Sequence, residues 1–289
     1  MSRLFVLGCS FTNYAWPTWA DILGTEYDVY ENWGYPGLGN RAICERLVEL
    51  HAREHLTKDD TVIVQWTSHL RNDYHTVDNR RKDILDGVGW KTCGSLFNYI
   101  NAEIYSDKWI KTFWCEPSYT MHMLNNIVLA QGLLKSIGCN WYMTSMGEIE
   151  KMNSDYPDSL QGEVGSTENI WTDIPGLSIY KDLIASDNWI KPVGTTAWNS
   201  KIPHYKFHDP DNKLRFITDR HPSINQHVEY LVTQVKPKIN NSQNLSKLSK
   251  IWIDKVNTIY KTTHKDFTLF CETIFKDLPE WQGNRYRGF

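Results

Sequence analysis

The sequence predicts an α/β protein, a three-layer α/β/α sandwich around a central parallel sheet. Strand-like runs alternate with segments of helical spacing in the first half of the chain. The run Thr61 to Trp66 (TVIVQW) is nearly all apolar and β-branched, the pattern of a strand covered on both faces. With 41% apolar and 22% charged residues over 289 positions, the chain can bury a sizeable core. Strand, helix, strand, helix, strand in that order implies parallel pairing with helices on both faces, and sites in such sheets lie beyond the carboxyl ends of the strands.

In order, the first strand is Leu4 to Gly8 and the second Tyr27 to Tyr30. The helix Asn40 to Leu56 follows, with Ile43, Leu47 and Leu50 on one stripe, and then the strand Thr61 to Trp66. A second helix, Met121 to Ile137, passes through Gly138 into a strand over Asn140 to Thr144. Residues 72–119 and 147–216 are long, aromatic and rich in Gly, Pro, Asn and Ser, and are expected as insertions over the carboxyl edge of the sheet. Residues 236–244 (KPKINNSQN) have linker composition, and Leu245 to Leu278 returns to helical spacing. The expected organisation is an α/β domain over 1–240 and a C-terminal helical extension over 241–289. Docking on its own domain is the commoner fate of such an extension, and docking on a partner subunit the alternative.

With 31 basic and 34 acidic residues the net charge is −3, which gives no basic footprint for nucleic acid. No targeting segment and no apolar stretch of roughly 18 residues is legible, so a cytoplasmic protein without a membrane partner is expected. The six cysteines stand singly, with no Cys-x-x-Cys pair, as expected of reduced thiols. The composition is unusual in its 13 Trp and 15 Tyr. Rings outside a core stack on sugars or fill interfaces, although long loops also bury them as packing.

Four segments fall at the edge where a site belongs: GCSFT at 8–12, NWGYPGLGN at 32–40, WTSHLR at 66–71 and DRHPS at 219–223. Together they resemble the SGNH or GDSL hydrolase family, in its divergent form with Gly-Cys-Ser-Phe-Thr for Gly-Asp-Ser. The likeness covers the sheet-forming half of the chain. It implies a flavodoxin-like sheet and a serine esterase without metal or organic cofactor. Ser10 would be the nucleophile, His221 the base and Asp219 the carboxylate orienting the imidazole. The oxyanion donors it implies are the backbone N–H of Ser10, that of Gly37, and an asparagine after the third strand.

Two features depart from that pattern. Ser68 stands where the asparagine belongs and His69 where an aspartate belongs, so Asn40 or the Ser68 hydroxyl is the candidate third donor. Asp219 and His221 are spaced Asp-x-His, one residue closer than the family's commonest arrangement, and Asp209 and Asp211 stand in reserve. Cys9 is the rival nucleophile by intrinsic reactivity. Directions alternate along an extended strand, so if Ser10 faces the cleft, Cys9 faces the core. Ser223 and Gln226 form a capping-box signature for the next helix.

Two further patterns compete. His51-Ala-Arg-Glu-His55 matches a zinc motif with both imidazoles one helical turn apart, but no third ligand is evident and the helix end faces away from the cleft. Gly37-Leu-Gly-Asn-Arg-Ala42 fits the dinucleotide fingerprint, yet its acidic partners Asp59 and Asp60 precede the third strand instead of ending it. The expected function is hydrolysis of carboxylic esters, with an O-acetylated or otherwise acylated glycan as substrate. The alternative is a catalytically degenerate protein of the same fold, structural or glycan-binding. Divergent members of this kind resemble bacteriophage proteins, and such a virion component or homo-oligomer would assemble through the C-terminal tail.

Overall fold

Side-chain alternation along the first strand sets the three layers. In β1 (Arg3–Leu7), Leu4 and Val6 enter one apolar cluster while Phe5 and Leu7 enter another on the opposite face. The computed structural model describes residues 1–77, 88–96, 105–150, 169–212 and 214–282. After β1 come α1 (Trp19–Gly24), β2 (Val29–Asn32), α2 (Asn40–Glu54) and β3 (Asp60–Trp66). An antiparallel pair, β4 (Arg71–Val77) and β5 (Val88–Ser95), precedes α3 (Asp107–Phe113), α4 (Glu116–Ile137) and β6 (Asn140–Ser145).

The central sheet has the order β2-β1-β3-β6 and every pairing is parallel. The chain passes from β1 outward to β2 and then returns to β3 on the other side of β1. That reversal puts a topological switch point at the carboxyl ends of β1 and β3. One face is covered by α2 and α4, which bring Ile43, Leu47, Leu50, Leu124, Ile127 and Leu134 against Val62, Val64 and Trp66. The other face receives α1, α5 (Ile224–Tyr230), α6 (Lys247–Thr262) and α7 (Phe267–Asp277), the last three following a small antiparallel pair, β7 (Lys206–His208) and β8 (Phe216–Thr218).

The second strand lies two residues beyond its expected position, because Asn32, polar in the sequence, is fully buried and used by the site described below. Helix α4 begins at Glu116, ahead of the expected Met121; Pro117 occupies its first turn, where a missing N–H costs nothing. The first insertion contains the β4–β5 pair and α3, and the second contains short helical turns at Ile170–Asp173, Leu177–Leu183 and Val193–Trp198 followed by β7. Residues 78–87, 97–104 and 151–168 of these insertions lie outside the described residues, as does most of the terminal EWQGNRYRGF.

The segment expected as a linker is tied down. Helix α5 continues through a π turn, Leu231–Val235, to Lys238. There the buried Lys236 ammonium bonds Glu26 Oε1 at 2.6 Å and the Gln243 carbonyl at 2.8 Å. The helices beyond it pack on their own chain, with Trp252, Val256, Ile259, Phe270 and Ile274 sharing one cluster with Leu4, Val6 and Ile63 of the sheet. Among the described residues no helix is long and apolar enough to cross a membrane.

Candidate active site

Beyond β1 the chain turns sharply. The N–H groups of Thr12 and Asn13 both donate to the Cys9 carbonyl, at 3.0 and 3.1 Å. Gly8 is required at the bend, since a Cβ there would lie 2.8 Å from the Thr12 side chain and 3.0 Å from Gln65 Cβ. A buried polar network holds the outer side of the turn. Asn32 Nδ2 donates to the Thr12 carbonyl at 2.7 Å and to Asp21 Oδ1 at 2.9 Å, and Asp21 also accepts from the Tyr30 hydroxyl and the Thr18 N–H. Asn13 Nδ2 reaches the Gly34 carbonyl at 2.6 Å. Every buried polar atom that pairs in this way avoids the penalty of an unsatisfied group, so the turn is rigid by construction.

Cys9 and Ser10 diverge, as expected, but the turn and not strand alternation separates them: β1 ends at Leu7, and Cys9 joins the face of Leu4 and Val6, where alternation would have placed it with Phe5 and Leu7. The thiol is wholly buried in the cluster of Leu4 and Val6, where Gln65 Nε2 donates to Sγ at 3.4 Å. Ser10 Oγ instead lies 3.0 Å from His221 Nε2. His221 sits in the loop between β8 and α5, and that loop is clamped: Trp16 Nε1 donates to the Pro222 carbonyl, and Ser223 with Gln226 closes the capping box of α5.

The short Asp-x-His spacing has a local explanation. Asp219 Oδ1 accepts the His221 backbone N–H at 2.8 Å and faces His221 Nδ1 at 2.7 Å, so one carboxylate oxygen holds both the backbone and the ring of the residue two positions on. Because an ionised carboxylate only accepts, the ring proton is on Nδ1 and the Nε2 lone pair faces Ser10. Burial pushes the Asp219 carboxyl up, but the His221 ring and N–H together with the Tyr14 hydroxyl outweigh it and hold the group below its ordinary value. The Tyr14 hydroxyl donates to Asp219 Oδ2 at 3.0 Å, and its ring stacks on the imidazole with centroids 3.7 Å apart and planes 22° from parallel. Asp209, held in reserve as the acid, accepts from the Asp211 N–H at 3.0 Å and faces Arg215 at 3.8 Å in the β7–β8 turn. Asp211 sits in the same turn.

The N–H groups of Ser10 and Gly37, the expected oxyanion donors, have no hydrogen-bond acceptor among the described residues. Gly37 has φ of 85°, in the left-handed region, and its carbonyl accepts from the Gly94 N–H of β5. Asn40 serves differently from the expected donor. Its Nδ2 gives bonds to the Thr67 and Ser68 carbonyls at 2.9 and 3.4 Å while Oδ1 accepts the Thr67 N–H at 2.8 Å, so the amide braces the loop after β3. The Ser68 hydroxyl accepts from the Leu70 N–H at 3.1 Å. His69, at the family's aspartate position, is buried, which pushes its imidazole down to about 3 and keeps it neutral.

Asp73 was not singled out in the sequence. It reaches from β4 to the start of α2, where its carboxylate accepts the Gly39 N–H at 2.9 Å and the Ala42 N–H at 3.4 Å. It thereby caps a helix whose own N-cap residue, Gly39, has no side chain. Burial pushes its carboxyl up to about 6 against these bonds. Asp21, Asn32 and Tyr14 were missed as well, since nothing in their local spacing announces that they face inward.

Helix α2 ends at Glu54 and His55 follows as a left-handed cap with φ of 50°, so the His-x-x-Glu-His segment is not one helical face. Asp60, at the amino end of β3, pairs with Arg3 at 2.6 Å. A polar cavity of about 410 Å³ is lined by Asn40, His69, Arg71, Asn72, Tyr119 and Asn125, among others.

No family model matches the chain, and no curated protein matches it at a significant level. Among solved structures it is similar to that of TesA, at 12% identity and a TM-score of 0.40, over 82% of this chain and 97% of the other. That likeness is faint, and the fold rests on the sheet order and the two covered faces.

Proposed function

We propose that the protein is a serine hydrolase of carboxylic esters, of the SGNH kind. The observation that carries this is the continuous line from Ser10 Oγ to His221 Nε2 at 3.0 Å and from His221 Nδ1 to Asp219 at 2.7 Å. These are hydrogen-bond lengths in the order nucleophile, base and orienting acid. Ser10 Oγ attacks the ester carbonyl as His221 Nε2 takes its proton, and the resulting imidazolium is held by the Asp219 carboxylate. The tetrahedral oxyanion is received by the Ser10 and Gly37 N–H groups, with the Ser68 hydroxyl as third donor. Each such donor contributes about 3 kcal/mol to transition-state stabilisation. His221 then protonates the leaving alcohol, and water, deprotonated by the same ring, hydrolyses the acyl-enzyme.

The substrate we favour is an O-acetylated or otherwise acylated glycan. The amide- and guanidinium-lined cavity beside Asn40 and His69 supports it, because a hydroxyl-rich ligand needs such donors and acceptors. One observation favours the competing reading of a degenerate, glycan-binding protein: the Asn40 amide is already engaged. Steady-state assays on p-nitrophenyl acetate and on an O-acetylated oligosaccharide separate the two. Saturable acetate release that is lost in Ser10→Ala supports the hydrolase, and binding of the oligosaccharide without any release supports the other.

A further inference from the structure

We propose that Tyr14 is a positioning residue of this site, clamping the His221–Asp219 pair by its hydroxyl on the carboxylate and its ring on the imidazole face. The inference rests on the hydrolase reading above and extends it to a residue outside the nucleophile, base and acid.

Three contacts carry it. The hydroxyl donates to Asp219 Oδ2 at 3.0 Å, the oxygen that His221 does not use. The ring lies nearly parallel to the imidazole at 3.7 Å, closer than ordinary aromatic pairs, whose centroids sit about 4.5–7 Å apart. Trp16 packs edge-on against Tyr14 at 4.6 Å and is itself wholly buried, so the phenol has little room to rotate. Tyr14 lies four residues after Ser10 on the same turn, so the segment that carries the nucleophile also holds the acid and base in line with it.

Two physical consequences follow. A carboxylate with donors on both oxygens cannot swing away from Nδ1, which keeps the ring proton on the correct nitrogen. The π face beneath the ring stabilises the imidazolium that forms as Ser10 loses its proton, an interaction realised more strongly in the transition state than in the ground state. The other titratable groups near Asp219 are Cys271 on α7 and, around the apolar-walled cavity that Asp219 lines, His208, Asp209, His264 and Asp266. None of these is hydrogen-bonded to the Asp219 carboxylate among the described residues, where Tyr14 and His221 alone are.

The test compares Tyr14→Phe, which keeps the ring and removes the hydroxyl, with Tyr14→Leu, which removes both. On p-nitrophenyl acetate, kcat is expected to fall about tenfold in the first and about a hundredfold in the second, with KM within about twofold of the parent. The acid limb of the kcat/KM profile is expected to move to higher pH in Tyr14→Phe, because a carboxylate that has lost a donor keeps more of its negative charge and favours the protonated form of the ring it faces. A readout independent of turnover is the far-downfield proton resonance of the His221–Asp219 hydrogen bond, expected further downfield in Tyr14→Phe. A folded Tyr14→Phe protein with that resonance unmoved overturns the clamp, whether or not the parent hydrolyses an ester. Absence of turnover in the parent, with the resonance displaced in the variant, overturns the hydrolase reading and leaves the clamp standing.

Discussion

Ser10 and Cys9 are adjacent, yet only the serine side chain lies within hydrogen-bond reach of an imidazole among the described residues. The more nucleophilic thiol is wholly enclosed by Leu4, Val6 and their neighbours, and the hydroxyl meets an imidazole. Ser10→Ala is therefore expected to lower kcat/KM on p-nitrophenyl acetate by at least about a thousandfold, and Cys9→Ala to change it by less than about threefold. The reverse outcome would exchange their roles. Asp219→Asn keeps the shape of the acid but can donate to Nδ1, which favours the wrong ring tautomer; a loss of kcat on the order of a thousandfold or more is expected from the same assay. Ser10, Asp219 and His221 were legible in the sequence because each lies in a short segment whose order and spacing are themselves the signal. Asp21, Asn32 and Tyr14 were not, since their roles come from turning inward at contacts made only when the sheet is assembled.

Helix α2 begins without a side chain at its own cap, and Asp73 of β4 supplies the missing acceptor from a distance of 34 residues in sequence. That contact makes the insertion part of the site's frame, because the capped turn carries Gly37 and Asn40. The carboxyl binds its proton more tightly folded than unfolded, with its value raised to about 6 by burial. Its contribution to stability is thus fully present below the ordinary carboxyl range and is lost as pH rises through about 6. Urea unfolding of the parent, measured relative to Asp73→Asn, is expected to lose about 2 kcal/mol between about pH 4.5 and about pH 7.5, and parallel pH dependence in the two proteins would contradict this. The C-terminal helices are likewise structural. Trp252 and Phe270 are buried beneath the sheet, so Trp252→Ala is expected to cost about 3–5 kcal/mol in the same measurement. A chain ending at 240 would expose that whole face and is expected to show no cooperative unfolding.

The whole molecule explains why remote segments meet. Parallel strands β2, β1, β3 and β6 end at one edge, and the loops after β1, β2 and β3 contribute Ser10, Gly37 and Ser68 there, while the loop before α5 brings Asp219 and His221. This much of the architecture was legible because apolar runs such as TVIVQW and the stripe of Ile43, Leu47 and Leu50 report burial directly. The β4–β5 pair and the tethered segment around Lys236 were not, because Gly- and Asn-containing sequence reads alike in a loop, a hairpin and a buried polar contact, and α3 was not because its seven residues bury no apolar stripe. The convergence of these segments matters because it would leave an activated alcohol at position 10. Incubation with a fluorophosphonate followed by peptide mapping by mass spectrometry tests it most directly: one equivalent of label on Ser10, lost when His221 is replaced by alanine, is the expected result. An unlabelled Ser10 in the folded parent protein, or label of equal extent without His221, would contradict it.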